Sequence, residues 1–517
     1  SGFWQWFSTA QINSFIALPD KGNIQVEHLL LDLNGLLHTI SRHTTSYNSL
    51  IVMLFANLNN VLKRITPTKT MLLALDGPGS SAKLYTQRSR RLKKAKKNDT
   101  EAKSGELNSC MFTPGTEFME RIKSSLLYYC SQKIQNQKQY ENVQFIISGA
   151  DSSGEGELKI LSWIFEYHHF HNRNDRYIIV GMDGDLILLA LGALRNNIFI
   201  LHDIKDKTMF STEEFYSLLE KDYPKQSKRI TIDFIFIMLL LGNDYLPKLK
   251  KSSTDLWNQY LELRNNSSSD NEFLINEGYT LNYQFLMKFL ALIDDRIPKY
   301  QSELDSNTCK FKVKKKYMEN VKCYLQGLLW NLYMYTTGSC ADYSYVYNTY
   351  RAPTARDIFF YIHSIAKYGE IQLSINTSAL PLFPLAFCIT LIPIEAKECI
   401  PEVLHHLIEE TSPIYDILSP KKSYSEYPII DTERIKNAVL QIPKGNFTNI
   451  SQKKLVNQFA PSIILMNQKN HTLPRKSYSY KTPKPPVSRF NRLRYPSGIQ
   501  ALHFDINKRK YNQPKWP

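Results

Sequence analysis

The 517-residue sequence has no run of eighteen consecutive apolar residues, so nothing in it reads as a membrane-spanning helix. Its opening, SGFWQWFSTAQINSFIALPD, has no basic leader before an apolar stretch, and no signal peptide is expected. Its seven cysteines are scattered, with no pair at Cys-x-x-Cys spacing. That argues against a disulfide framework and a structural zinc site, and favours a reducing compartment, the cytoplasm or else the nucleus. Internal repeats are absent. Acid is also in short supply: Asp+Glu number 48 against Lys+Arg 64, a formal +16 with a pI near 9.2. The imbalance favours a polyanionic partner over an acidic protein surface. The apolar share of 43% is ordinary and sufficient for a large core.

The positive charge is concentrated. Between Lys83 and Lys97, in KLYTQRSRRLKKAKK, eight of fifteen residues are basic and none is acidic. KFKVKKK spans Lys310 to Lys316. From Arg475 onward eleven basic residues face the single acid Asp505. The last two clusters read equally well as solvated faces or arms.

The first 250 residues alternate short aliphatic runs with helical patterns. The runs are VEHLLLD (26–32), TMLLALD (70–76), VQFIISG (143–149) and YIIVGMD (177–183). Near-continuous apolar strands separated by helices predict an α/β fold with a buried, mostly parallel sheet. TPGTEFMERIKSSLLYYCSQKI predicts a helix starting at Thr113-Pro114. We divide the chain into an α/β core (1–250), a mainly helical region (251–430) and a C-terminal segment (431–517) ending in a basic, Pro- and Tyr-rich arm.

The carboxylates fall at the strand ends. Asp32 and Asp76 close the first two runs, and Glu155 and Glu157 follow the third in GADSSGEGELKI. Asp183 and Asp185 follow the fourth in GMDGD, and Asp244 follows the apolar helix IDFIFIMLLLG. Any one of these alone is an ordinary cap or turn residue. Parallel strands, however, end on one edge, so the acids should converge there. Crowded carboxylates repel unless cations neutralise them, and hard divalent ions with oxygen ligands, Mg²⁺ or Mn²⁺, suit such a set. Two such ions support in-line displacement at phosphorus. Seven residues after Asp76 a basic comb begins: Lys83, Gln87, Arg90 and Arg91, at i, i+4, i+7 and i+8, share one face of a helix over 82–97. Arginine forks beside a metal cluster suit a terminal phosphate or the backbone of the scissile strand.

LDLNGLLH (31–38), LDGPGSSAKLYTQRSRR (75–91), TPGTEFM (113–119), GEGELKI (154–160), GMDGDLILL (181–189) and LLGNDYLP (240–247) together resemble the XRN family of 5′→3′ exoribonucleases. The resemblance continues in GLLWNLYMYTTGSCADYSYVYNTYRAP (327–353) and PLFPLAFCITLIP, covering roughly residues 1–420. It implies a PIN/flap-nuclease-like core and assigns the metal ligands, two Mg²⁺ ions' worth, to Asp32, Asp76, Glu155, Glu157, Asp183, Asp185 and Asp244. It assigns the pocket for an RNA 5′-monophosphate to Lys83, Gln87, Arg90 and Arg91, and a base-stacking role to His38. Tyr343 and Tyr345 stand where the family has tryptophans, and one of them is expected to oppose His38 across the terminal base. The turn Gly77-Pro78-Gly79-Ser80-Ser81 departs from a family turn carrying Pro-Arg. The chain is shorter than the large members and shows no zinc knuckle. RLRYPSGIQALHF is a candidate remnant of a segment that packs back on the core.

The implied activity is processive, Mg²⁺-dependent hydrolysis of 5′-monophosphorylated single-stranded RNA to nucleoside 5′-monophosphates. A monomer with no membrane association is expected, fed by a decapping enzyme or pyrophosphohydrolase. Two other readings share part of the pattern: a catalytically silent RNA-binding scaffold, and a structure-specific 5′ DNA flap nuclease.

Overall fold

The structure, a computed structural model, describes residues 2–101, 107–166, 174–266, 271–298, 315–365, 371–373, 376, 378–421, 423–469, 499–504 and 516. The basic stretch 310–314 and most of the tail from 475 lie outside the described residues. Among the described residues no helix is long and apolar enough to cross a membrane.

Seven strands come from the first half: β1 (Phe15–Ala17), β2 (Ile24–Asp32), β3 (Ile65–Ala74), β4 (Gln144–Ser148), β5 (Tyr177–Val180), β6 (Ile198–Leu201) and β7 (Thr208–Ser211). A small hairpin, β8 (Ile275–Asn276) and β9 (Thr280–Leu281), stands apart, and β10 (Ser462–Asn467) and β11 (Ile499–Phe504) come from the end of the chain. The main sheet runs β1-β7-β6-β5-β2-β3-β4-β10-β11. Its centre, β6-β5-β2-β3-β4, is parallel. Both flanks are antiparallel, through β7 and β1 on one side and β10 and β11 on the other. The four aliphatic runs are thus the central strands. The short flanking strands carry too little period-2 signal to read from sequence, although β11 falls within the RLRYPSGIQALHF segment.

Alternation along the strands explains the two layers. Leu30, Leu72, Ile146 and Ile179 join one core cluster, while Leu29, Leu31, Met71, Leu73, Ile147 and Ile178 join another on the opposite face. Each such aliphatic side chain contributes about 1.5–3 kcal/mol by burial. Both faces are therefore apolar, as a parallel centre requires. A third cluster surrounds the helix Pro384–Leu391 and residues up to Val456. One polar group in the sheet is satisfied internally: buried His28 shares hydrogen bonds with Thr70 Oγ1 at 2.7 Å and Asp175 Oδ2 at 2.8 Å.

From β2 the chain moves outward to β3 and β4, then returns to the other side of β2 for β5 and β6. The reversal between β2 and β5 opens a crevice at their carboxyl ends, the usual ligand position in such sheets. The long helix Lys315–Thr337 packs against the helices Gly156–Glu166, Asp185–Gly192 and Ser227–Leu239. Its crossing with Asp185–Gly192 demands glycine. A Cβ on Gly192 would stand 2.1 Å from the carbonyl oxygen of Tyr335.

One helix start differs from expectation. The helix expected from Thr113 runs Glu117–Asn136, capped by the Thr116 hydroxyl accepting from Met119 N–H at 3.3 Å. A 3₁₀ turn, Ser109–Phe112, precedes it.

Candidate active site

The acids gather where the central strands end. Asp32 is the last residue of β2 and caps the helix Leu33–Ser41 by accepting from Asn34 N–H. Asp76 lies two residues beyond β3. Its N–H donates to Asn34 Oδ1 at 2.9 Å, and its Oδ1 accepts from Gly156 N–H at 2.7 Å. The Gly156 backbone runs between the two acids: a Cβ there would meet Asp32 Oδ1 at 2.7 Å and Asp76 Oδ1 at 3.3 Å. Only glycine leaves room for both carboxylates at this helix start.

Glu155 and Glu157 open the helix after β4, and Asp183 and Asp185 form the turn after β5, where Asp185 N–H donates to Asp183 Oδ1 at 2.9 Å. Asp244 follows the helix Ser227–Leu239 through a tight turn at Gly242, whose φ is +78°. The electrostatics tie the set together. Burial, then Asp76 and Asp183, push Asp32 well up. Burial, then Glu155, push Glu157 well up. Burial, then Asp183, raise Asp185 to about 6, with Asp244 adding to the push. The seven acids therefore share one region.

Cations and hydroxyls already answer part of this charge. Lys83 is buried, and its Nζ stands 2.5 Å from Glu155 Oε2, 3.8 Å from Asp244 Oδ2 and 4.2 Å from the centre of the Tyr245 ring. Burial works against its charge, but Glu155, Glu157 and Asp244 outweigh that and hold it well above the ordinary lysine value. Tyr245 donates to Glu155 Oε2 at 2.9 Å, and Tyr335 donates to Asp185 Oδ2 at 2.6 Å. Arg90 grips Asp244 with both terminal nitrogens, at 2.8 and 3.2 Å. Burial alone would raise Asp244, yet Lys83 and Arg90 hold it below the ordinary aspartate value. Below the acids, buried Lys159 donates to the carbonyls of Leu75 and Gly149 at 2.8 Å, tying the exits of β3 and β4.

The comb lies on the helix Ser81–Glu101. Gln87, Arg90, Arg91 and Lys94 line a cavity of about 230 Å³ together with His38, Asn34, Asp76, Glu155 and Asp244. Arg91 is fixed by Nε donating to Thr113 Oγ1 at 2.8 Å. Lys83 does not line this cavity; it is committed to Glu155 beside it. Arg88 points elsewhere, donating to the carbonyls of Leu418 and Thr390 at 2.8 and 3.0 Å, and so serves packing.

His38 lines the cavity, and burial, then Lys94, Arg91 and Arg42, lower it to about 4. Its ring is neutral at physiological pH. The ring beside it belongs to Phe112, centroids 5.2 Å apart. Tyr345 is turned into the core: its hydroxyl donates to the Cys323 carbonyl at 2.8 Å and its ring lies 4.8 Å from Trp330. It cannot reach across to His38 from there. Tyr343 is partly buried, and its carbonyl accepts from Ser81 N–H at 2.9 Å at the start of the comb helix. Asn34, Phe112, Lys159, Tyr245 and Tyr335 escaped the sequence reading. Tyr245 directly follows Asp244 and Lys159 lies within GEGELK, so adjacency could have flagged both; Tyr335 reaches Asp185 across 150 residues with no local signal.

Divalent cations fit the chemistry of this donor set, which is all oxygen. Glu155 Oε1 is buried without a hydrogen-bond partner, an orphan acceptor that a cation would satisfy. Among the described residues no three acids stand ready-arranged around one ion. Glu155 and Asp244 are drawn onto Lys83 and Arg90 instead.

The family model "XRN 5'-3' exonuclease N-terminus" matches residues 2–204, and "Xrn1 helical domain" matches residues 296–425. The 5'-3' exoribonuclease 1 of Schizosaccharomyces pombe is 30% identical over 293 residues, 48% of this chain and 22% of that protein. The human 5'-3' exoribonuclease 1 is 27% identical over 369 residues, 61% of this chain and 21% of that protein. The chain thus spans about a fifth of the length of these relatives. A solved structure described as the catalytic core of Rad2 in complex with DNA substrate aligns over 60% of this chain and 82% of that chain, with 13% identity and a TM-score of 0.33. That likeness is too slight to carry an argument.

Proposed function

Since the chain belongs to the XRN family of 5′→3′ exonucleases, we propose that it is a 5′→3′ exoribonuclease that degrades 5′-monophosphorylated single-stranded RNA processively to nucleoside 5′-monophosphates. The observation that carries this reading is one cavity lined both by acids from the strand ends (Asp76, Glu155, Asp244) and by the comb (Gln87, Arg90, Arg91). A terminal phosphate held on the comb sets the next phosphodiester toward the acids.

Asp32, Asp76, Glu155, Glu157, Asp183, Asp185 and Asp244 would hold two Mg²⁺ ions. Bound there, the ions supply an activated water and stabilise the charge of an in-line displacement at phosphorus. The protein's own groups do the rest. Gln87, Arg90 and Arg91 bind the 5′-phosphate by charge-assisted hydrogen bonds, with Lys83 beside them as counter-charge. Neutral His38 offers a face for the first base, and Tyr343 is the remaining candidate to oppose it. Tyr335, from the helical region, orients Asp185, so residues 1–250 and 251–430 build one site on a PIN/flap-nuclease-like core. The arm from Arg475 adds backbone affinity. The enzyme acts as a cytoplasmic monomer on ends made by a decapping enzyme or pyrophosphohydrolase.

The test is digestion of end-labelled 5′-phosphate and 5′-hydroxyl versions of one RNA, with Mg²⁺ and with EDTA, by wild type and Asp185→Ala. Stepwise release of mononucleotides from the 5′ end, lost in EDTA and in the variant, is expected. Full turnover in EDTA overturns the metal-dependent reading. Binding without turnover favours the silent scaffold, and selective cutting of flapped DNA favours a flap nuclease.

A further inference from the structure

His38 lines the cavity, yet no polar group fixes its ring. Among the described residues neither ring nitrogen has a hydrogen-bond partner. An imidazole left to turn about χ1 and χ2 must be ordered when a base stacks on it, and that ordering weakens binding. What holds the ring is aromatic. Phe112 lies against His38, centroids 5.2 Å apart and planes at 52°. Phe118 meets Phe112 edge to face, at 5.0 Å and 74°, and Tyr47 meets Phe118 in the same way, at 5.5 Å and 89°. Polar groups anchor the far end of this row. The Tyr47 hydroxyl shares a hydrogen bond with Ser125 Oγ at 2.7 Å, and the Arg121 guanidinium lies 3.8 Å from the centre of the Tyr47 ring. Such contacts are directional, so each ring restricts the next.

The row is built on a rigid turn. Phe112 and Phe118 bracket Thr113-Pro114-Gly115-Thr116, where Gly115 has a φ of +94° and its Cβ would stand 2.1 Å from the carbonyl oxygen of Pro384. A shift of this turn would have to move the helix Pro384–Leu391. Its Thr113 also holds Arg91, through Nε at 2.8 Å. One turn thus carries both the partner of a comb arginine and the ring beside His38. Phe112 lines the cavity but is only 3% exposed, which leaves no open face for a base to stack on. Any effect of Phe112 on a bound base must therefore pass through His38.

We propose that Phe112 is a positioning residue for base recognition, its ring holding the His38 imidazole in the orientation that stacks on the first base of the RNA. The proposal rests on the exonuclease reading above and deepens it by naming what presets the stacking ring. Tyr47, Phe118 and Phe112 hold His38 in place before the RNA arrives, so the base meets a surface that is already ordered.

The experiment uses the full chain and two short 5′-monophosphorylated RNAs, identical except that one lacks the base of its first nucleotide. Equilibrium binding is measured in EDTA for wild type, His38→Ala, Phe112→Leu and the double variant. The quantity read is the ratio of affinities for the base-bearing and abasic RNAs, which a smaller folded fraction leaves unchanged. His38→Ala should lower this ratio about tenfold, within the worth of one stacked base. Phe112→Leu should lower it about threefold, the cost of ordering a ring no longer held in advance. Phe112→Met, a second variant of closer bulk, should show the same loss. In the His38→Ala background Phe112→Leu should change the ratio no further. Equal weakening of both RNAs by the Phe112 variants, or an effect on the ratio that adds to that of His38→Ala, makes Phe112 a packing residue and overturns the proposal. If His38→Ala itself leaves the ratio unchanged, the stacking role of His38 falls and the proposal with it. Digestion in Mg²⁺ judges the exonuclease reading separately: a chain that binds as stated but releases no mononucleotide refutes that reading and leaves the role of Phe112 standing.

Discussion

Replacing Arg90 by alanine separates end recognition from general binding. The Arg90 side chain is 57% exposed and that of its partner Asp244 42%. A pair so open to water is worth only about 0–1 kcal/mol to the fold, so the variant should remain folded. A 5′-phosphate gripped by the same guanidinium gains roughly 1.5–3 kcal/mol per charge-assisted bond. Its loss should lower kcat/KM on 5′-monophosphate RNA roughly 10- to 150-fold. A 5′-hydroxyl end offers no phosphate, so that contribution is missing from the start. Removing Arg90 also leaves Asp244 less neutralised, but that change acts on both substrates alike. The informative quantity is therefore the ratio of kcat/KM values for the two ends of one RNA, in wild type and variant. It should collapse by at least tenfold. Loss of rate by the same factor on both ends would make Arg90 a backbone-binding or folding residue and refute the assignment.

Asp244→Asn should release Arg90 while removing a repelling charge from the cavity; binding of a nucleoside 5′-monophosphate in EDTA should tighten about two- to fivefold, and unchanged or weaker binding would show that the pair does not compete with phosphate. Gly192→Val should force the helices Asp185–Gly192 and Lys315–Thr337 apart, since even a Cβ would stand 2.1 Å from the Tyr335 carbonyl oxygen. A cost of about 1–3 kcal/mol or more is expected in thermal unfolding, with a loss of turnover through Tyr335 and Asp185; an unaltered midpoint would mean the crossing relaxes freely. Deleting 475–517 should lower the slope of log affinity against log salt by about 0.7 for each RNA phosphate that the arm neutralises, whereas an unchanged slope would mean that the segment does not touch RNA.

The central strands and their acids were legible because parallel strands buried on both faces read as continuous aliphatic runs, and an acid at the end of each run is a local signal. The comb was legible for a similar reason, since helical spacing places Lys83, Gln87, Arg90 and Arg91 on one face. What spacing could not supply was each side chain's partner. Lys83 and Arg90 look alike in sequence, yet Lys83 is buried on Glu155 while Arg90 lines the cavity. Tyr343 and Tyr345 are two residues apart, and what distinguishes them is tertiary: Tyr345 packs on Trp330 and bonds the Cys323 carbonyl. Tyr335 depends on a helix crossing that Gly192 permits, a tertiary fact with no signature of its own.

The ion pairs at the site follow from one physical constraint. Seven carboxylates converge, and burial, the largest cause at each, makes Asp32, Glu155, Glu157 and Asp185 harder to ionise. A chain that must keep them ionised near neutral pH needs counter-charge close by whether or not cations are bound. The comb is the nearest source, and Lys83 and Arg90 are the members that reach Glu155 and Asp244. Their two charges reduce the formal imbalance without cancelling it. This also accounts for the absence, among the described residues, of a ready-arranged metal site: two of the three carboxylates that line the cavity are turned toward cations of the comb. On the proposed reading, an arriving 5′-phosphate would draw Arg90 away from Asp244 and free that carboxylate for another cation. Phosphate and divalent cation should therefore favour each other's binding, and by linkage the effect must be equal in both directions. On the proposed reading, the arginine that would recognise the end, Arg90, is also the one that holds Asp244 in check.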